Sequence, residues 1–503
     1  MNEMIRNIVL CSDGTGNRGG VGRGTNVWRI YKAIDQNSTN PKQLAFYDDG
    51  VGTENNKLLR LIGGTFGFGI SRNIRQLYTF LVNNYSEQKE NKIFLFGFSR
   101  GAFTARSLAG FICLFGVLDR TGKSNKEIDK LVSDAYCLYT KLYRKQRTLK
   151  KMRDRKNKIG VAKVLEPITQ FKEKNGFIDI FEKNKTESTN ETSEKDNIEF
   201  DDKHIKIIVE CVGVWDTVDA VGFPIDELAD AWDKLLPFKF HQHDLNEKIQ
   251  AGYHALALDD ERHTFHPVLW DESKKIPGQN IEQVWFTGVH SNVGGGYPKD
   301  GMAHVSLNWM INKVGNKTHG LKFNQAKLDE YRQAENVNDK LYDSRAGLAA
   351  YYRYKPRNVK TLCEKASITP IIHDSVFERI ARTIYNYAPK NIPATAKKYT
   401  SSEKLFSTAK QLGHWQNYTK KINNRSLLRR GLYFLFVATS CFFIIAGLSL
   451  AQIEYAGCEP KSFCTYLVFM EYILLFFSWI LPFIPDTWIN GFISNIHVAF
   501  AIF

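Results

Sequence analysis

The run Ile93-Phe94-Leu95-Phe96-Gly97-Phe98-Ser99-Arg100-Gly101 decides how this chain is read. Four apolar residues make a short buried strand, Gly97 to Gly101 fits G-x-S-x-G, and a helical pattern follows from Thr104 to Leu118. In that context the five residues turn a strand sharply into a helix. Backbones then approach so closely that glycine alone avoids a Cβ clash. The Ser99 hydroxyl is lifted clear of the sheet, beside a helix N-terminus that favours developing negative charge. Ser99 is the candidate nucleophile.

Working outward, Ile8-Val9-Leu10-Cys11 ends in Asp13-Gly14-Thr15-Gly16-Asn17, and Val27, Ile30, Tyr31 and Ile34 recur at helical spacing. Gln43 to Tyr47 reads as a strand, and Ile70, Ile74, Leu77, Phe80 and Leu81 as an amphipathic helix. Ile205 to Val214 is a strand leading to Trp215-Asp216, and Val284 to Val289 is another leading to His290. A helix-like stretch follows from Val305 to Val314. Strands alternating with helices predict an α/β fold with a mostly parallel sheet covered on both faces.

A serine needs a base near neutral pH, and the base needs an orienting acid. Asp216 and His290 each follow a strand directly, which puts them at the sheet edge where Ser99 sits and where ligands of open parallel sheets bind. Ser99, Asp216 and His290 also run in the order nucleophile, acid, histidine. They are the candidate triad. His254, His263 and His266 are rival bases, with His254 expected inside a helix; Asp219 is the rival acid. For an oxyanion hole, the backbone N–H of Arg100 is the expected first donor, and the turn at Gly14 and Thr15 the source of the second. A charged Asp13 beside an oxyanion would be unfavourable, so it is assigned to tying down its own loop. Gly63, Gly64 and Gly69 before the helix at Ile70 are a weak phosphate-cradle signal.

The chain has 503 residues, 43% hydrophobic and 24% charged, which excludes wholesale disorder and collagen-like or coiled-coil architecture. Lys+Arg exceed Asp+Glu by 68 − 53 = 15, an excess that suits an anionic partner. Nucleic acid and anionic lipid are the two candidates on charge alone; with the apolar C-terminal end, a phospholipid membrane is the expected partner and nucleic acid the disfavoured one. Eight cysteines without a CxxC pair exclude a zinc ribbon or a dense disulfide framework. No metal-ligand spacing stands out, and no cofactor is expected. The pattern divides the chain into a catalytic domain over 1–118 and 205–320, a charged insertion over 119–204 that is a possible lid, a mostly helical extension over 321–430 without assignable chemistry, and an apolar end over 431–503.

Gly431 to Ile453 is a charge-free apolar run of 23 residues, and a bilayer core takes about 20. Phe463 to Pro485 is a second candidate span, interrupted by Glu471, and Trp488 to Phe503 a third, short stretch. Lys420, Lys421, Arg425, Arg429 and Arg430 crowd the near side of the first. The expectation is an integral membrane protein with a C-terminal transmembrane helical region and its catalytic domain facing the cytoplasm.

Several motifs also occur in a telling order: Ser12 to Asn17, Gly97 to Phe103, Val214-Trp215-Asp216-Thr217-Val218, His254-Ala255-Leu256-Ala257, and Gly288 to Ser291 with Gly294 to Tyr297. Together, over roughly residues 5–380 without the insertion, they resemble the α/β-hydrolase family that includes the type VI secretion phospholipase effectors of the first lipase class. The resemblance implies a Ser-Asp-His hydrolase acting on acyl esters of phospholipids, an antibacterial or defence toxin, and an immunity or regulatory protein as partner. It supports Ser99, Asp216 and His290. The sequence departs from the family pattern at Asn292, where Asp is usual, and at Asp219, where Gly is usual. Alternatives are an esterase or thioesterase on soluble acyl substrates, or a non-catalytic membrane-anchored binding protein.

Overall fold

The structure, a computed structural model, describes residues 5–14, 17, 19–20, 22, 24–50, 66–85, 90–145, 158–180, 207–218, 244–315, 319–382, 387, 389–399, 406–407, 432, 435–436 and 439. In chain order the elements are β1 (Ile5–Ser12), α1 (Asn26–Ala33), β2 (Lys42–Asp48), α2 (Phe66–Asn84), β3 (Glu90–Phe98), α3 (Arg100–Phe115), β4 (Val117–Leu118), α4 (Asn125–Arg144), α5 (Lys158–Asn175) and β5 (Phe177–Ile178). They continue with β6 (Ile207–Trp215), β7 (Ile249–Ala257), β8 (Asn280–Phe286), α6 (His290–Gly294), α7 (Gly301–Val314), α8 (Gln325–Gln333), α9 (Val359–Lys365), β9 (Ile371–His373), α10 (Asp374–Ala381), β10 (Lys397–Tyr399) and β11 (Phe406–Ser407).

Nine strands form one sheet in the order β11-β10-β9-β8-β7-β6-β3-β1-β2, parallel throughout except for the β10–β11 pair. The mostly parallel α/β sheet expected from the sequence is present. Its central strands are buried on both faces because side chains alternate between two separate cores. Ile8, Leu10, Ile93 and Leu95 pack with α2, α3 and α4 residues such as Leu77, Phe111 and Val132. Val9, Cys11, Phe94 and Phe96 pack on the opposite face with Val27 and Ile30 of α1 and Leu307 and Met310 of α7.

The chain lays β2 on one side of β1 and β3 on the other, so the strand order reverses there. Crevices at such reversals, outside the carboxyl ends of the strands, are where parallel sheets place their sites. The loop after β1 and Ser99 after β3 both lie at this crevice: a Cβ on Gly14 would come 3.2 Å from Ser99 Cβ.

Two expectations are corrected. The segment Tyr253 to Ala257, with His254, is not helical but belongs to β7. A strand buried on both faces loses the period-two pattern that would distinguish it from a buried helix. The transmembrane region, and with it the integral membrane protein with a cytoplasm-facing catalytic domain, is not supported: no helix among the described residues is long and apolar enough to cross a membrane. A helical span needs one continuous helix that satisfies its own backbone, whereas hydropathy reports only that a run is apolar. The runs 431–453, 463–485 and 488–503 lie outside the described residues, save positions 432, 435, 436 and 439.

Candidate active site

The β3–α3 junction is built by backbone proximity. A Cβ on Gly97 would fall 2.3 Å from the Gly101 carbonyl oxygen, and one on Gly101 would fall 2.1 Å from that of Ser12. Neither position has room for a side chain. Between them Ser99 adopts φ 58° and ψ −122°, a conformation that L-residues rarely take. Its N–H donates to the Trp215 carbonyl at 3.0 Å, tying the elbow to the end of β6. Arg100 is the first residue of α3, so its backbone N–H lies at the helix N-terminus.

One strand over, Asp216 leaves β6 with φ 41° and no solvent exposure. Its Oδ2 accepts from His290 Nδ1 at 2.5 Å, and its Oδ1 from the Ala257 N–H at 3.0 Å. Arg357, equally buried, donates Nη1 to Oδ1 at 2.6 Å and Nη2 to Oδ2 at 2.8 Å. Burial opposes the charge on Asp216, but Arg357 and the bond from His290 outweigh it and hold the carboxyl well below the usual range.

His290 opens α6, and its N–H donates to Asp260 Oδ2 at 3.1 Å. Asp260 in turn accepts from Arg262 through both oxygens, at 3.0 and 2.7 Å. The imidazole packs between Phe98, 4.6 Å away between ring centres, and Phe265, edge-on at 5.0 Å. Phe98 immediately precedes Ser99, so the elbow and the imidazole share one wall. Burial drives the His290 pKa down, and Asp216 only partly restores it, leaving a neutral ring near pH 7. With Nδ1–H donating to Asp216, Nε2 carries the lone pair; that atom is buried and has no hydrogen-bond partner among the described residues.

Other candidates have other duties. His254 accepts from the Thr217 N–H at 3.1 Å, and burial pushes it down to about 3. His266 bonds the Lys355 carbonyl at 2.8 Å, and His263 lies 3.0 Å from Lys355 Nζ. Asp13 does tie down its loop: it accepts from the Gly14 N–H at 2.6 Å, Asn17 at 3.2 Å, and Thr25 and Tyr47 at 2.5 Å each. The Gly14 N–H is therefore engaged by Asp13 rather than turned to an oxyanion. Thr15, Asp219, Gly63 and Gly64 lie outside the described residues. Asn292 is pinned by the Val289 and Tyr342 N–H groups and by the Lys340 carbonyl, so it ties the start of α6 to the segment at 340–342. Among the described residues, no group of three His, Cys, Asp or Glu side chains could hold a metal ion.

The model of the family described as "T6SS, Phospholipase effector Tle1-like, catalytic domain" matches residues 6–313. The chain belongs to that family. The Tle1-like catalytic domain thus spans β1 through α7 and contains the elbow, Asp216 and His290, whereas Arg357 lies beyond it. A stretch of 149 residues is 31% identical to the uncharacterized protein YEL023C of Saccharomyces cerevisiae, covering 27% of this chain and 20% of that protein. The chain spans about a fifth of the length of this curated relative. Among solved structures, an uncharacterized protein from Pseudomonas aeruginosa aligns with TM-score 0.31 and 16% identity over 66% of this chain and 48% of that one. The Tle1 effector bound to the VgrG spike of the type 6 secretion system aligns with TM-score 0.29 and 15% identity, over 59% and 52%.

Proposed function

We propose that this Tle1-like domain hydrolyses acyl ester bonds of phospholipids with Ser99 as nucleophile, His290 as general base and Asp216 as the orienting acid. The observation that carries the reading is the His290 imidazole: Nδ1 held by a buried carboxylate, and Nε2 buried, without a partner among the described residues and beside the wall that bears Ser99. Such a ring is confined to the tautomer a base requires.

In the first half-reaction Ser99 Oγ attacks the ester carbonyl while its proton passes to His290 Nε2. The Arg100 N–H and the α3 N-terminus stabilise the tetrahedral oxyanion. Collapse breaks the ester C–O bond, and His290 returns the proton to the departing lysophospholipid oxygen. Water then repeats the cycle on the acyl-serine, releasing fatty acid and restoring Ser99. The family match favours a phospholipid over a soluble ester or thioester. The basic excess suits an anionic leaflet, where each nearby Lys or Arg contributes about 1 kcal/mol.

The test is fatty-acid release from phospholipid vesicles by Ser99→Ala, with circular dichroism to check the fold. Release should fall to background in a folded protein. Undiminished release would remove the mechanism, and a strong preference for short soluble esters would move the substrate to that class.

A further inference from the structure

We propose that Arg357 is a positioning residue that fixes the plane of the Asp216 carboxylate for His290, so that the catalytic site is complete only when the chain beyond residue 320 is folded onto the family-matched domain. The inference rests on the triad reading above and goes beyond it in assigning a working part to the C-terminal extension.

The geometry is a fork on a fork. Arg357 Nη1 meets Oδ1 and Nη2 meets Oδ2, at 2.6 and 2.8 Å. With His290 on Oδ2 and the Ala257 N–H on Oδ1, the carboxylate has four donors and no freedom to rotate. The guanidinium is itself pinned, because Nη1 also donates to the Ala257 carbonyl and Nη2 to that of Phe265 at 2.5 Å. Phe265 packs edge-on to His290, so the same guanidinium braces both the acid and the wall of the base. Both partners are fully buried, and a carboxylate sealed from water without a counter-charge would be costly to keep ionised.

The charged and titratable groups around this pair come from every neighbouring element. They are His290 of α6, His254 of β7, kept neutral by burial, Asp259 after β7, Asp260 with Arg262, which neutralise each other, and His266 next to Phe265, which burial pushes down to about 4. Arg357 is thus the cation that forms an ion pair with Asp216. Lysine is a point charge and cannot span both oxygens, so Arg357→Lys separates the charge from the fork.

The experiment measures kcat, KM and the pH dependence of kcat/KM for full-length Arg357→Met and Arg357→Lys on a soluble ester, alongside Ser99→Ala. In Arg357→Met, kcat should fall about 100-fold with KM little changed, the size expected from losing orientation at a reacting group. Its acid limb should move up, because the imidazolium would face an uncompensated carboxylate. Arg357→Lys should return the limb to its wild-type position and recover only part of kcat. If Arg357→Met does not fold, Arg357→Lys decides alone through its deficit in kcat. Wild-type kcat in either folded variant overturns the inference, as does a loss that follows folded fraction alone with an unmoved acid limb. Undiminished turnover in Ser99→Ala overturns the triad instead, whatever the Arg357 variants do.

Discussion

Burial pushes the His290 imidazole below the ordinary histidine value near 6.5, and the Asp216 carboxylate against Nδ1 only partly pulls it back. As the proposed base, His290 would work unprotonated, so kcat/KM should be flat through neutrality and fall only as pH drops through this lowered pKa. A pH profile on a soluble ester should therefore show an acid limb below about 6.5. A limb above that value would mean that the group titrating is not a desolvated histidine. The residues of the proposed triad were legible in the primary structure as candidates: Ser99, Asp216 and His290 follow apolar runs in the order a hydrolase would need. Arg357 does not. It lies 141 positions from its carboxylate, in a stretch without motif or periodicity, and only the fold makes the two neighbours. Asp260 was equally silent, a loop carboxylate 30 positions before the histidine whose N–H it accepts.

Among the elements, the elbow between β3 and α3 carries the tightest constraint. Gly97→Ala and Gly101→Ala would each drive a Cβ into backbone that no rotamer change can move. Each should cost about 2–3 kcal/mol in denaturant unfolding, and lower kcat besides because Ser99 is displaced. Gly122→Ala is the control: its φ is +70° but nothing lies within 4 Å, so it should cost about 1 kcal/mol and leave kcat alone. Equal losses in all three would mean that close approach is not what the elbow glycines provide. Strands were readable where a short apolar run met a turn residue, as at β1, β3, β6 and β8. The pattern failed at β7, nearly all of it buried, where Tyr253 to Ala257 reads equally well as an inner helix. It failed again at β9 and β10, three residues each, too short for any periodicity to show.

At the scale of the whole molecule, one sheet carries the elbow, Asp216 and His290 after β3, β6 and β8, while its far edge from β9 to β11 comes from residues after 370. Arg357 precedes that edge, so the segment closing the sheet also supplies the counter-ion of Asp216. The same integration bears on how substrate is met. A net charge of +15 sets up a long-range attraction to anionic lipid that needs no spanning helix. If that attraction recruits the enzyme, raising salt from about 0.1 M to about 1 M should shrink the Debye length from about 10 Å to about 3 Å and weaken it sharply. Fatty-acid release from anionic vesicles should then drop about tenfold, the equivalent of losing one or two Lys or Arg contacts at about 1 kcal/mol each. Turnover of a short neutral ester, which needs no recruitment, should stay nearly constant over the same range. Equal salt sensitivity on both substrates would place the effect in the catalytic site. Insensitivity on vesicles would mean that the basic surface serves some partner other than the lipid.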